Sequence, residues 1–181
     1  MPQTVVIMGV SGCGKSAVAT GVARQLGWRA VDADDLHTPE AVAKMRAGQA
    51  LTDDDRAPWL DRVGALLAAA GAAQRGVLVA CSALRRSYRD RLRTACPSVR
   101  FLFLDGDRAV IEARMAQRRD HYMPASLLES QLRTLERPAP DEIDVTRLNI
   151  DQPLDALVQQ ACAALRRADA SANPDIKESS L

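Results

Sequence analysis

Two kinds of apolar pattern alternate along this chain. Short apolar runs recur at Gln3–Met8 (QTVVIM), Trp28–Val31, Val77–Cys81 (VLVAC), Arg100–Leu104 (RFLFL) and Asp144–Ile150. Their length is that of strands, and a continuous run such as VLVAC is what a parallel sheet buried on both faces requires. Between them the apolar residues fall at helical spacing. Ala17–Leu26 is rich in Ala and Val and free of Pro. Thr38-Pro39-Glu40 reads as a capping hydroxyl followed by Pro in the first turn, and this helix stops at Gly48. Asp53–Asp55 open a longer helix with Trp59, Val63, Leu66, Leu67 and Ala70 on one face, ended by Gly71 and Gly76. Leu84–Ala95 predicts a strongly basic helix that closes before Pro97, and Arg108–Arg118 predicts another. A polar break at 118–124 separates the latter from a helix over Ala125–Arg137, which Pro138-Ala139-Pro140 ends. Leu154, Leu157, Val158, Ala161, Cys162 and Leu165 keep helical spacing in the last helix.

Strand followed by helix, five times over, predicts an α/β fold: an open parallel five-stranded sheet with helices on both faces. A single domain over 1–168 is expected, carrying a small helical lid at about 114–137, with a polar and disordered tail at 169–181. Ligands of such sheets bind beyond the carboxyl ends of the strands, so functional residues are expected just after each strand.

Composition narrows this only a little. The net charge of +1 gives no global pull toward nucleic acid or membrane, and there is no apolar run of membrane-spanning length. The strand begins almost at Met1, so no leader is expected. Cys13, Cys81, Cys96 and Cys162 form no C-x-x-C pair, so the expectation is reduced thiols in a cytoplasm and no zinc site. Only Lys15, Lys44 and Lys177 are lysines among 24 basic residues, which singles out Lys44 for attention.

The first strand runs into Gly9-Val10-Ser11-Gly12-Cys13-Gly14-Lys15-Ser16, a complete G-x-x-x-x-G-K-S phosphate loop. Its backbone N–H groups turn inward around phosphate oxygens, Lys15 reaches the β- and γ-phosphates, and the Ser16 hydroxyl is a ligand for Mg²⁺. The helix from Ala17 points its positive end at the same anion.

Four further segments look chemical. Asp32-Ala33-Asp34-Asp35-Leu36-His37 follows the second strand; in an extended segment Asp32 and Asp34 point the same way. Such carboxylates can help to hold Mg²⁺, or one can accept a proton from an attacking hydroxyl. The third strand ends in Cys81-Ser82-Ala83-Leu84-Arg85-Arg86 and lacks the metal-binding aspartate usual there. Arg85 or Arg86 is expected to bind an anion, and Arg89, Arg91 and Arg93 are expected on the surface. Arg114, Arg118, Arg119 and His121 lie at the polar break, where a flap of arginines can close over phosphates and exclude water. Lys44–Trp59 contains Gly48, Asp53, Asp55, Arg56 and Trp59.

With these residues in view, the chain resembles the bacterial gluconate kinases. The likeness is carried by MGVSGCGKS at 8–16, DADDLH at 32–37, KMRAGQALTDDDRAPWL at 44–60, CSALRRSYRDRLR at 81–93, the Arg-rich stretch to LERP at 114–138, and IDQPL at 150–154. It implies an adenylate-kinase-like phosphate-loop fold. The implied activity is transfer of the γ-phosphoryl of ATP to the 6-hydroxyl of D-gluconate, with Mg²⁺, in a homodimer. Asp34 is the expected proton acceptor, with Lys15 and Arg118 as catalytic partners. Gly9 to Ala17 would cradle the phosphates, and Ser16 and Asp32 would hold the metal. Arg114, Gln152 and Pro153 are expected around the adenine. His37, Lys44, Arg56, Ser82, Arg86 and His121 are expected, with Asp34, around gluconate; which cation takes its carboxylate stays open. The rivals are another kinase of this build, such as a shikimate kinase, a nucleotide-binding module without a small acceptor, and nucleic-acid binding through Arg85–Arg93.

Overall fold

A computed structural model describes residues 1–49, 51–116 and 125–172. The five expected strands form one parallel sheet in the order β2-β3-β1-β4-β5. At its centre lies β1 (Thr4–Met8), every residue of it buried. It pairs with β3 (Val77–Ala80) and β4 (Arg100–Asp105), so that Val6 is level with Val79 on one side and Phe101 on the other. The edges are β2 (Arg29–Asp32) and β5 (Val145–Asn149), which are correspondingly more polar.

Alternation along the strands divides the core into two. Val5, Ile7, Leu78, Leu102 and Leu104 face α1 (Lys15–Leu26) and α7 (Leu154–Ala172). Val6, Met8, Val79, Phe101 and Phe103 face α3 (Asp53–Ala72) and α4 (Arg86–Ala95). β-Branched, Leu and Ala side chains dominate the first layer, while Trp59, Tyr88, Phe101 and Phe103 are packed into the second. The remaining helices are α2 (Pro39–Arg46), α5 (Arg108–Ala116) and α6 (Ala125–Thr134). No helix of the described residues is long and apolar enough to cross a membrane.

Three local differences from the sequence reading bear on the site. First, α1 starts at Lys15, two residues early, so the loop lysine and serine belong to the first helical turn. Second, Ala33–Leu36 is a 3₁₀ turn, not an extended segment; Asp32 caps it by accepting the Asp34 N–H at 3.1 Å. Third, α4 starts at Arg86 and not at Leu84, because Arg85 is extended (φ −97°, ψ 148°) and serves as its N-cap. By contrast, α3 begins at Asp53 as expected, with Thr52 and Asp55 closing a reciprocal capping box, and continues through Pro58.

Candidate active site

The phosphate loop joins β1 to α1 at the centre of the carboxyl edge. Gly9 has φ +140°, and a Cβ there would lie 2.8 Å from the Leu104 carbonyl oxygen. Gly14 has φ +99° and turns the chain into α1. Both positions demand glycine. The Gly9 N–H donates to the Ser82 carbonyl at 3.2 Å, which ties the loop to the segment after β3. Lys15 Nζ rests on the Val10 carbonyl at 3.1 Å. Burial raises the Cys13 thiol above its usual value and pushes Cys81 up to about 12, so neither is a thiolate near neutrality.

Asp32 completes this region. Its Oδ2 accepts the Ser16 hydroxyl at 2.7 Å. In the sheet register Asp32 is level with Ala80, the last residue of β3, so β2 supplies the carboxylate that β3 lacks. A hydroxyl and a carboxylate oxygen suit a hard divalent cation. Among the described residues there is no cluster of three or more His, Cys, Asp or Glu able to hold a metal by itself. The donor set therefore fits an ion that arrives with phosphate oxygens and water, and Ser16 and Asp32 are the residues able to hold it.

Asp34 and His37 stand beside this pair. Burial, then the charge of Asp32, raises Asp34 above the usual carboxylate range, while Lys15 and His37 oppose the shift. His37 stacks on Trp59 with ring centroids 4.6 Å apart and planes 8° from parallel. Trp59 Nε1 donates to the Ala33 carbonyl at 2.6 Å, which fixes the 3₁₀ turn on α3. Burial lowers His37, and the nearby Asp34 carboxylate offsets only part of this, so the imidazole is neutral at pH 7. Its Nδ1 is buried and makes no hydrogen bond among the described residues.

Beyond His37 lies a second polar group. Tyr88 Oη donates to Asp53 Oδ1 at 2.5 Å and accepts from Arg56 Nη1 at 3.3 Å. Arg85 Nη1 pairs with Asp53 Oδ2 at 2.5 Å. The Arg56 and Arg85 guanidinium carbons are 6.0 and 5.9 Å from the Tyr88 ring centroid. Two arginines thus share one aspartate, and the group keeps one positive charge.

The expected site residues divide accordingly. Lys15, Ser16, Asp32, Asp34, His37 and Arg56 form a continuous set, with Ser82 at the loop. Lys44 Nζ is instead bound to Asp55 Oδ1 at 2.6 Å. That bond, with the Thr52 hydrogen bonds, holds Asp55 down to about 2. Arg86 turns toward Asp141, at 2.7 and 3.1 Å, and Arg85 takes the position next to Arg56. Arg114 bridges the Cys13 carbonyl (3.2 Å) and the carbonyls of Ile150 and Gln152 (3.0 Å to the latter), joining the phosphate loop to the segment before Pro153. Arg118, Arg119 and His121 lie outside the described residues.

An expectation about the basic helix is also overturned. Arg89 is fully buried, not on the surface, and forms a bidentate pair with buried Glu142 at 2.6 and 2.7 Å. It also donates to the carbonyls of Ala83, Leu84 and Glu136. Arg91 pairs with Asp61, and Arg93 with Asp90, Glu142 and Asp144. Every arginine of 85–93 is therefore matched to a carboxylate, which removes the basic stripe a nucleic acid would need. Apart from Asp90, these partners come from 30 to 55 positions away in the sequence, so no local pattern marks them.

A parallel 2-3-1-4-5 sheet, a phosphate loop at its centre and a carboxylate–histidine pair beside it define a phosphate-loop kinase. Comparison with known proteins makes this specific. The family model described as AAA domain matches residues 5–138. The thermoresistant gluconokinase of Escherichia coli K12 is 42% identical over 90% of this chain and 93% of its own length. The gluconokinase of Gluconobacter oxydans is 45% identical over 88% and 89%. The crystal structure of a gluconokinase from Sinorhizobium meliloti superposes with a TM-score of 0.87 and 43% identity, over 97% of this chain and 98% of that one. The chain belongs to the gluconokinase family.

Proposed function

We propose that this protein transfers the γ-phosphoryl group of ATP to the 6-hydroxyl of D-gluconate, giving 6-phosphogluconate, ADP and a proton. The acceptor assignment is carried by near full-length identity above 40% to proteins named as gluconokinases. The geometry supports it independently. Gluconate is a polyol with one carboxylate, and it needs one net cation and several hydrogen-bonding groups. The Arg56–Arg85–Tyr88–Asp53 group offers the cation. The half-buried His37 imidazole and the Ser82 hydroxyl offer partners for the chain of hydroxyls.

In this reading Asp34 orients the terminal hydroxyl and takes its proton as the oxygen attacks phosphorus. Its raised affinity for protons suits that task. Lys15 keeps one donor on the Val10 carbonyl and presents its others to the phosphate oxygens, and the loop N–H groups stabilise charge on them. Mg²⁺, held by Ser16 and Asp32, would neutralise charge on the transferring group. Segment 114–137 acts as a lid that excludes water, with Arg118 and His121 on it. Arg114 and the 150–153 segment border the adenine. Lys44 and Arg86, each already bound to a carboxylate, act by holding α3 and the segment after β3 in place. A cytoplasmic homodimer belongs to the same reading on family resemblance, and sedimentation of the purified chain would measure its mass.

The deciding experiment is a coupled assay of ADP release across gluconate, shikimate and nucleoside monophosphates. Turnover with gluconate far above the others is expected. Preference for shikimate, or ATP hydrolysis indifferent to any acceptor, would sink the assignment.

A further inference from the structure

The peptide unit between Val10 and Ser11 is held at both ends. Its N–H donates to Gln131 Oε1 at 2.6 Å, across 120 positions of sequence. Its carbonyl accepts Lys15 Nζ at 3.1 Å and, more loosely, the Cys13 N–H at 3.4 Å. In a planar trans peptide the N–H and C=O point in opposite directions. Gln131 and Lys15 therefore stand at opposite edges of one rigid unit. Rotating that unit turns both groups away together. Donation from the N–H also polarises the carbonyl, which makes it a better resting place for the ammonium.

We propose that Gln131 is a positioning residue for Lys15, acting through the Val10–Ser11 peptide. It stands on α6. Gln131 is thus the link by which that helix fixes the orientation of the first half of the phosphate loop. The Gly9 N–H is tied in the same manner to Ser82 on the other side. The loop is clamped at 9 and 11, which leaves the amides toward the start of α1 to meet phosphate. The inference rests on the phosphate-loop kinase reading but is independent of which acceptor is used.

A double-mutant cycle with Lys15 tests it. Gln131→Met keeps the length and helix preference of the side chain and removes the strong acceptor; Gln131→Ala serves if the first variant folds poorly. Each is made alone and with Lys15→Ala, and read as turnover and as affinity for a non-hydrolysable ATP analogue. Gln131→Met is expected to lower kcat about tenfold, the worth of one hydrogen bond, with the gluconate KM unchanged. On the Lys15→Ala background the same change should cost less than about twofold, because its target is gone. An equal cost on both backgrounds, or wild-type behaviour of Gln131→Met, overturns the proposal. Failure of the wild type to use gluconate would overturn the acceptor reading instead, while the affinity cycle would still decide Gln131.

Discussion

Asp34 shows how much one residue owes to its neighbours. A lone aspartate after a strand would be an ordinary solvated acid. Here burial and Asp32 raise its proton affinity, and Lys15 and His37 keep that rise in check. A general base lost from a phosphoryl transfer costs roughly 10²- to 10⁴-fold. Asp34→Asn is therefore expected to lower kcat within that range with little change in ATP affinity; steady-state kinetics alongside nucleotide titration would measure both. Near wild-type turnover would remove Asp34 from its role. At this scale the sequence was legible wherever a motif is local. Gly9–Ser16 and Asp32–His37 were readable because each forms one continuous loop after one strand. Arg85 could not be separated from Arg86, since which of the two is the extended cap and which the first helical residue is settled only in the fold.

At the scale of elements, α4 is bound to the segment before β5 by a buried ion network. Arg89 and Glu142 are 0% and 1% exposed at the side chain, and Arg93 adds a second guanidinium to the same carboxylate. Removing Glu142 leaves the Arg89 charge buried without a carboxylate, whereas removing Arg89 leaves Glu142 paired with Arg93. Glu142→Leu should cost roughly 3–5 kcal/mol in urea unfolding, and the double change Arg89→Met with Glu142→Leu should cost less than that single one. The same contact predicts acid sensitivity. Burial would raise Glu142, yet its bonds to Arg89 and Arg93 hold it down to about 2, below its usual 4.5. A depressed acid contributes stability that is complete above the unfolded value. That contribution is lost as pH falls from about 4.5 toward about 2. Urea midpoints across this range should fall more steeply for the wild type than for Glu142→Gln. The basic helix itself was predictable from sequence, but the burial of Arg89 was not. Its partner is 53 positions away, and nothing near Arg89 announces a carboxylate.

Across the whole molecule, the strand order sets which loops meet. With β1 central, the segment after β2 and β3 lies on one side of the phosphate loop, and the segment after β4 and β5 lies on the other. Arg114 joins the latter side to the loop through three carbonyl oxygens. At about 1 kcal/mol for each hydrogen bond, Arg114→Ala should raise the KM for ATP roughly tenfold or more and leave the gluconate KM unchanged. An equal rise in both constants would show that the arginine supports the whole edge and not the nucleotide side alone.

What the sequence by itself determined follows from short range. Strand and helix alternation, the phosphate loop and the acidic segment after β2 are each encoded within about ten residues by periodicity, glycine placement and capping chemistry. Only the tertiary structure decided the pairings. It gave Lys44 to Asp55 and Arg86 to Asp141, brought Arg85 and Tyr88 to Asp53, buried Arg89 on Glu142 and set Gln131 against Ser11. Charge and hydrogen-bond capacity are visible in a sequence. Which partner satisfies them depends on chain crossings that join residues far apart, and only the folded sheet makes those crossings.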